Sequence, residues 1–250
     1  MAVNKASFRF YQELNDFLPE KRRKRSFYYY FNGSPSIKDA IEAIGVPHTE
    51  VDLILVNGES VDFGYRLRDG DTVSVYPLFE SFDIGSVTRL RPQPLRVPSF
   101  IADVHLGKLV KMMRMLGFDT YYENDLDDEQ IVRIANRENR IILTRDKGLL
   151  KRKDVTHGYW VRSQNPEEQA REVVKRFHLE KLARPFIRCV ECNGIIRPVP
   201  KEKIEEKLED KTRKHYSRFY QCDKCGKIYW KGSHMPHMWR KIKNLMKENR

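Results

Sequence analysis

Two Cys-x2-Cys pairs, Cys189/Cys192 and Cys222/Cys225, hold all four cysteines of the chain. Paired knuckles of this spacing, in a chain whose first residues MAVNKASFRFYQEL lack the apolar core of a secretory leader, read as metal ligands rather than disulfide partners. Four thiolates close a tetrahedral structural Zn²⁺ site and leave no open position for zinc-based catalysis. The last part of the chain, residues 181–250, is therefore expected to be a small zinc ribbon with a basic tail. A pair of redox Cys-x2-Cys sites is the alternative. The 29 residues between the knuckles exceed usual ribbon spacing, and the charged stretch Lys201 to Lys211 within them is expected to form a helical excursion.

The ribbon accounts for a minority of the 250 residues, and 40% hydrophobic with 11% aromatic content supports a packed core elsewhere. No apolar run reaches the ~18 residues a membrane span needs, so a cytoplasmic protein with no membrane partner is expected. The net charge of +12 is unevenly distributed. Residues 1–95 carry 12 basic and 13 acidic side chains, residues 96–180 carry 16 and 14, and residues 181–250 carry 19 and 8. A C-terminal excess of this kind attracts polyanions, and nucleic acid is favoured over a merely solvated basic surface.

The first segment alternates Phe8 and Phe10, then reads strand-like over Ser26 to Phe31, with the basic run Lys21 to Arg25 on an exposed turn between. Ile37, Ile41 and Ile44 recur at helical spacing and Gly45 stops that helix. Leu53 to Val56 is a strand, Asn57-Gly58 a tight turn, and Thr72 to Tyr76 another strand after Asp69-Gly70-Asp71. The order is strand, strand, helix, strand, strand. With VNGE followed by DGDTVSV it resembles the ubiquitin-like β-grasp sulfur carriers. Those carriers end in Gly-Gly; here the chain runs on through VYPLFESF, so the resemblance implies an α+β interaction module over residues 1–83 rather than a carrier. Residues 84–97, with Pro92 and Pro94, read as a linker.

Strands and helices then alternate, which predicts an α/β domain with a parallel sheet over residues 98–180. Phe100-Ile101-Ala102 forms a buried strand ending at Asp103, and Leu106, Leu109, Val110, Met113 and Leu116 share the apolar face of the next helix, closed by Gly117. Thr120 to Tyr122 is a second strand, followed by the acidic run Glu123 to Glu129, in which Asp127 or Asp128 caps a helix carrying Ile131, Ile134 and Ala135. Arg140 to Thr144 is a third strand, ending at Arg145-Asp146. A strand near Tyr159 to Val161 and a helix from about Pro166 to Phe177 complete the pattern. In an open parallel sheet the functional crevice lies at the carboxyl ends of the strands. Carboxylates gathered there repel one another, and Mg²⁺ or Mn²⁺ relieves that repulsion. A cation so held activates water and stabilises a leaving oxygen, which points to phosphodiester hydrolysis. Asp127, Asp128 and Asp146 have a second reading as helix caps. Asp103 is harder to dismiss as structural, because an acid between Phe-Ile-Ala and an apolar helix is buried at a cost unless it is partnered. Glu123, Asp125 and Glu129 read as a solvated face, and His105 as a helix-surface residue.

FIADVHLGKLVKMMRMLGFDT and DDEQIVRIANRENRIILTRDKGLLKR resemble the Mut7-C-type PIN-like ribonuclease domain. That family joins such a domain to a C-terminal zinc ribbon, and some members carry an N-terminal ubiquitin-like domain; the three parts occur here in that order. The resemblance implies a Mg²⁺- or Mn²⁺-dependent nuclease acting on RNA. Carried over by position, Asp103 and the TRD acid Asp146 hold the metal, and Asp128, with Asp127 as rival, completes the site or orients water. Asp154 is the one candidate for a fourth acid. Arg145, Lys147, Lys151, Arg152 and Lys153 flank the TRD motif as phosphate contacts or as an ordinary exposed basic helix. In the ribbon, Tyr229 and Trp230 with Lys227, Lys231 and Arg240 either stack on bases and touch phosphates or pack the small domain. His234 and His237 are spare ligands that four cysteines make unnecessary. The expected activity is ribonuclease, endonucleolytic in mode, with RNA as partner and a protein partner for the β-grasp domain. The alternatives are a non-catalytic RNA-binding or ribosome-associated adaptor and a sulfur-carrier-like partner protein.

Overall fold

The computed structural model of the chain describes residues 3–77 and 98–246. The expected linker over 84–97, and the end of the first domain at residue 83, lie outside the described residues. Packing divides the chain into two compact units, Met1–Arg96 with Asp146–Trp160, and Val97–Arg145 with Val161–Arg250.

The first unit is built on a five-stranded mixed sheet. Strands β1 (Asn4–Phe10) and β2 (Phe27–Phe31) pair antiparallel. They are followed by helix α1 (Ile37–Ile44) and strands β3 (Leu53–Val56), β4 (Glu59–Val61) and β5 (Thr72–Tyr76). The order across the sheet is β2-β1-β5-β3-β4, with β1 and β5 parallel at its centre. Alternation places Ala6, Phe8 and Phe10 inward against Ile37, Ala40 and Ile41 of α1. Ser36 caps α1 by accepting the Asp39 N–H at 3.1 Å. The sequence pattern missed β4, a three-residue polar edge strand that owes its form to pairing across the Asn57-Gly58 turn rather than to its own composition.

The second unit contains strand β6 (Phe100–Ala102), helix α2 (Gly107–Met115), strand β7 (Thr120–Tyr121), helix α3 (Asp128–Glu138) and strand β8 (Ile141–Thr144). β6 lies between β7 and β8, parallel to both, as alternating strands and helices require. Phe100, Ile101, Ile142, Leu109 and Met113 fill the core between sheet and helices.

The stretch after β8 belongs to the first unit. Helix α4 (Lys147–Leu150) and strand β9 (Gly158–Trp160) are tied there at several points. The Val155 carbonyl lies 2.8 Å from His48 Nε2, and Lys151 Nζ donates to the Glu42 carbonyl at 3.1 Å. The Trp160 N–H donates to the buried Glu50 carboxylate at 2.6 Å, and Trp160 packs on Phe17. Nothing in the local sequence of 146–160 announces this; the contacts span about a hundred residues.

The second unit resumes with α5 (Pro166–Arg176), which packs on α2. The ribbon follows as three antiparallel strands, β10 (Ile196–Val199), β11 (Phe219–Cys222) and β12 (Ile228–Trp230), in that spatial order. Between the knuckles the charged stretch forms two short 3-10 turns and helix α6 (Asp210–His215), held by a small core of Ile204, Leu208 and Phe219. Helix α7 (Met235–Leu245) returns to α5, where Lys241 pairs with Glu167 at 2.9 Å. The approach to the ribbon is pinned at Gly117, which has φ +95° and where an added Cβ meets the Arg184 carbonyl oxygen at 2.1 Å. Only glycine accepts both conditions. Gly117→Ala is expected to cost at least about 2 kcal/mol, lowering the melting temperature by about 4–8 °C, read by calorimetry.

Candidate functional site

The four cysteines converge as their spacing predicts. Cys189 Sγ lies 3.6 Å from Cys225 Sγ, and Cys192 Sγ lies 3.4 Å from Cys222 Sγ. All four sulfurs fall within 4.8 Å of one another. A tetrahedron of Zn–S bonds of about 2.3 Å has edges of about 3.8 Å, so the set fits a closed Zn²⁺ site. Among the described residues this is the one group of three or more His, Cys, Asp or Glu side chains gathered closely enough to hold an ion. His234 and His237 are not part of it. Gly194 lets the chain pass the site, since a Cβ there would sit 2.7 Å from Cys222 Sγ.

The sulfurs do not share charge evenly. Burial raises the Cys189 thiol, but the Tyr229 hydroxyl at 3.0 Å and the backbone N–H groups of Cys192 and Glu191 outweigh it and bring it down to about 7. Burial and the neighbouring sulfurs push Cys192 up to about 12. One thiolate is readily formed and the next is resisted, which is the state a cation resolves.

The first knuckle is bolted to the α/β sheet within the same unit. Arg114, 3% exposed on α2, donates from Nε to the Thr120 carbonyl at 3.0 Å and from Nη1 to the carbonyls of Val190 and Glu191. Asn193 accepts the Thr120 N–H at 3.1 Å and donates to Asp119 Oδ1 at 2.8 Å. Asp119 also receives Arg140 at 2.6 Å and Arg188 at 3.1 Å. Burial works against the Asp119 charge, but Arg140, Asn193 and Arg188 prevail and hold the carboxyl below its ordinary range. Sequence reading missed this group, because an arginine on a mostly apolar helix shows no sign of the carbonyls it will meet some 76 residues later.

The acidic candidates are placed singly. Asp103 follows the carboxyl end of β6 and is 8% exposed. The Thr144 hydroxyl donates to its Oδ2 at 2.6 Å, and its carboxylate has no ion-pair partner among the described residues. Thr144, the first residue of the TRD motif, was not singled out from sequence; its place at the end of a strand beside an acid-tipped neighbour is the signal. Asp127 is the N-cap of α3 in a capping box, accepting the Gln130 N–H at 2.8 Å while Gln130 Oε1 accepts the Asp127 N–H at 2.9 Å. Asp128 is the exposed first residue of α3. Asp146, exposed, caps α4 by accepting the Gly148 N–H at 2.7 Å. Asp154 is paired with Arg152 at 3.1 Å, which holds its carboxyl low. His105, Asp125 and Glu129 are exposed, and Glu123 accepts the Tyr121 hydroxyl at 2.6 Å.

The basic and aromatic candidates divide. Lys147 Nζ stands 3.9 Å over the Trp160 ring, Lys151 is held by the Glu42 carbonyl, and Arg152 by Asp154. Arg145 and Lys153 are exposed. Tyr229 serves the zinc knuckle through its hydroxyl, whereas Trp230 and Lys231 face solvent.

Family models match this arrangement in two places, the Mut7-C RNAse domain over residues 98–242 and the Mut7-C ubiquitin domain over residues 3–83. No curated protein and no solved structure matches the chain. Among the described residues no helix is long and apolar enough to cross a membrane.

The protein is expected to carry one Zn²⁺ per chain by elemental analysis, and Cys192→Ser to lose it with a less stable second unit. For Asp119 the sign is fixed by its lowered value. Its contribution is present above the unfolded value of about 3.9 and is lost as pH falls through the folded one. Asp119→Asn is therefore expected to be less stable at pH 7 and to show a shallower loss of stability below pH 4 in urea titrations.

Proposed function

The chain belongs to the Mut7-C RNAse domain family, and from that premise we propose that it is a divalent-metal-dependent ribonuclease cutting RNA at internal phosphodiesters. The observation that carries the reading is Asp103. A carboxylate this buried, at the carboxyl end of the sheet's middle strand and met by a hydroxyl rather than a cation, is costly unless a positive charge joins it. Carboxylate and hydroxyl oxygens are hard donors, and the set suits Mg²⁺ or Mn²⁺ rather than a softer ion.

In this proposal Asp103 is the first ligand, fixed in direction by Thr144. Asp128 and Asp146, assigned from the motif, complete the ligand set, with Asp127 committed to its cap. When bound, Mg²⁺ or Mn²⁺ supplies charge stabilisation at a phosphoryl oxygen and a more acidic water. The chain's own part is to hold carboxylates in fixed rotamers and to present cations to the flanking phosphates. Arg145, Lys147, Lys151 and Arg152 are proposed as the phosphate contacts beside the TRD motif. Trp230 and Lys231 are proposed to add grip from the ribbon. The zinc site cross-links that surface and takes no part in bond cleavage. The ubiquitin-like domain is proposed as a protein-binding module that also braces the segment following Asp146.

The test is cleavage of a circularised single-stranded RNA by the purified protein with Mg²⁺, with Mn²⁺ and with neither. Linearisation that requires the metal, and that falls at least about a hundredfold in Asp103→Asn and in Asp146→Asn, is the expected result. Intact circles in every lane, with RNA still bound, would favour the adaptor reading instead.

A further inference from the structure

The ribbon carries an open cleft of about 500 Å³ between α6, β12 and the start of α7. That volume lies within the ~300–1,000 Å³ typical of small-ligand sites. Its walls include Trp230, Tyr216, His215, His234, Lys211 and Met238, and no Asp or Glu lines it. Trp230 is 38% exposed although it sits in a strand. Tyr216 and Phe219 flank its ring at centroid distances of 6.3 and 6.5 Å, leaving indole surface open. The indole N–H, the Lys211 ammonium and the imidazoles of His215 and His234 make no hydrogen bond or ion pair with other described residues. The surroundings are strongly cationic: residues 211–246 contain ten Lys and Arg against one acid, Asp223.

These features define the ligand. An indole face, a second aromatic ring and a flexible methionine suit a flat, polarisable ring. The Lys211 ammonium and the N–H groups of the indole and imidazoles suit an attached anion, and the absence of carboxylates disfavours a basic peptide. A nucleotide joins such a ring to a phosphate through its ribose, and only an unpaired one presents its face. A duplex would meet the same lysines through its backbone without entering the cleft.

We propose that this cleft holds one unpaired base of the RNA strand, stacked on Trp230, with Lys211 and the two histidines toward its phosphate. This deepens the RNA-binding part of the ribonuclease reading and rests on it. The site lies in the ribbon, apart from Asp103, so it selects single-stranded substrate without taking part in cleavage.

The experiment measures binding of the full-length, zinc-loaded protein to a labelled single-stranded oligoribonucleotide and to the same strand in a duplex. It is done at fixed salt without added Mg²⁺ or Mn²⁺. Trp230→Ala is expected to weaken single-strand binding about five- to hundredfold, Trp230→Phe to restore most of it, and duplex binding to change less than about twofold. Zinc content and melting temperature report that each variant is folded. Single-strand binding by Trp230→Ala equal to wild type overturns the proposal, and so does an equal loss on both substrates, which marks a purely electrostatic surface. Failure to bind any single strand overturns it as well. The two readings separate in the cleavage assay. Wild type that binds through Trp230 but does not cut defeats the ribonuclease and leaves the cleft; Trp230→Ala that cuts with unchanged KM defeats the cleft and leaves the ribonuclease.

Discussion

A buried guanidinium organises the second unit. Arg114 projects from α2 and satisfies three carbonyls, one at the start of β7 and two in the first zinc knuckle. An arginine removed from water needs such partners, and the carbonyls of an irregular knuckle need donors; each solves the other's problem. Asp119 and Asn193 close the network from the strand side. The ribbon is consequently not a bead on a string. Its first two cysteines are set by the α/β sheet, and its last two by the β11–β12 hairpin, so a metal ion held by the four would join two parts of one folding unit.

The same principle, applied to an anion, singles out Asp103. Elsewhere in the second unit the semi-buried acid Asp119 has three polar partners that stabilise its charge. Asp103 is more buried and has a hydroxyl. That contrast is the ground on which Asp103 is proposed as a carboxylate kept for a ligand. Asp127 and Asp146 each lend an oxygen to a helix start, a role that fixes where their carboxylates stand.

Much of this could be read from the residues. The apolar spacing of α2, the strand ending in Asp103, the Gly45 stop of α1 and the paired knuckles are local signals, and each formed where the pattern placed it. The choice between Asp127 and Asp128 as the cap was also written locally, in the Asp-x-x-Gln spacing from Asp127 to Gln130. What was not legible depends on distant partners. β4 is a strand because β3 lies beside it. Lys151 and Val155 belong with Glu42 and His48, more than a hundred residues away. Tyr229 reads from sequence as a stacking or a packing residue, and its hydrogen bond to Cys189 Sγ is invisible there because the chain brings the two together across 40 residues.

The proposed activity requires Asp103 to be a metal ligand. The most direct measurement is a Mn²⁺ titration of the zinc-loaded protein, following free Mn²⁺ by electron paramagnetic resonance, with Asp103→Asn beside the wild type. The prediction is a site in the wild type that weakens by more than about tenfold in the variant, a loss of over ~1.4 kcal/mol, while zinc content is unchanged. Equal Mn²⁺ affinity in the two proteins, or none in the wild type, would contradict it.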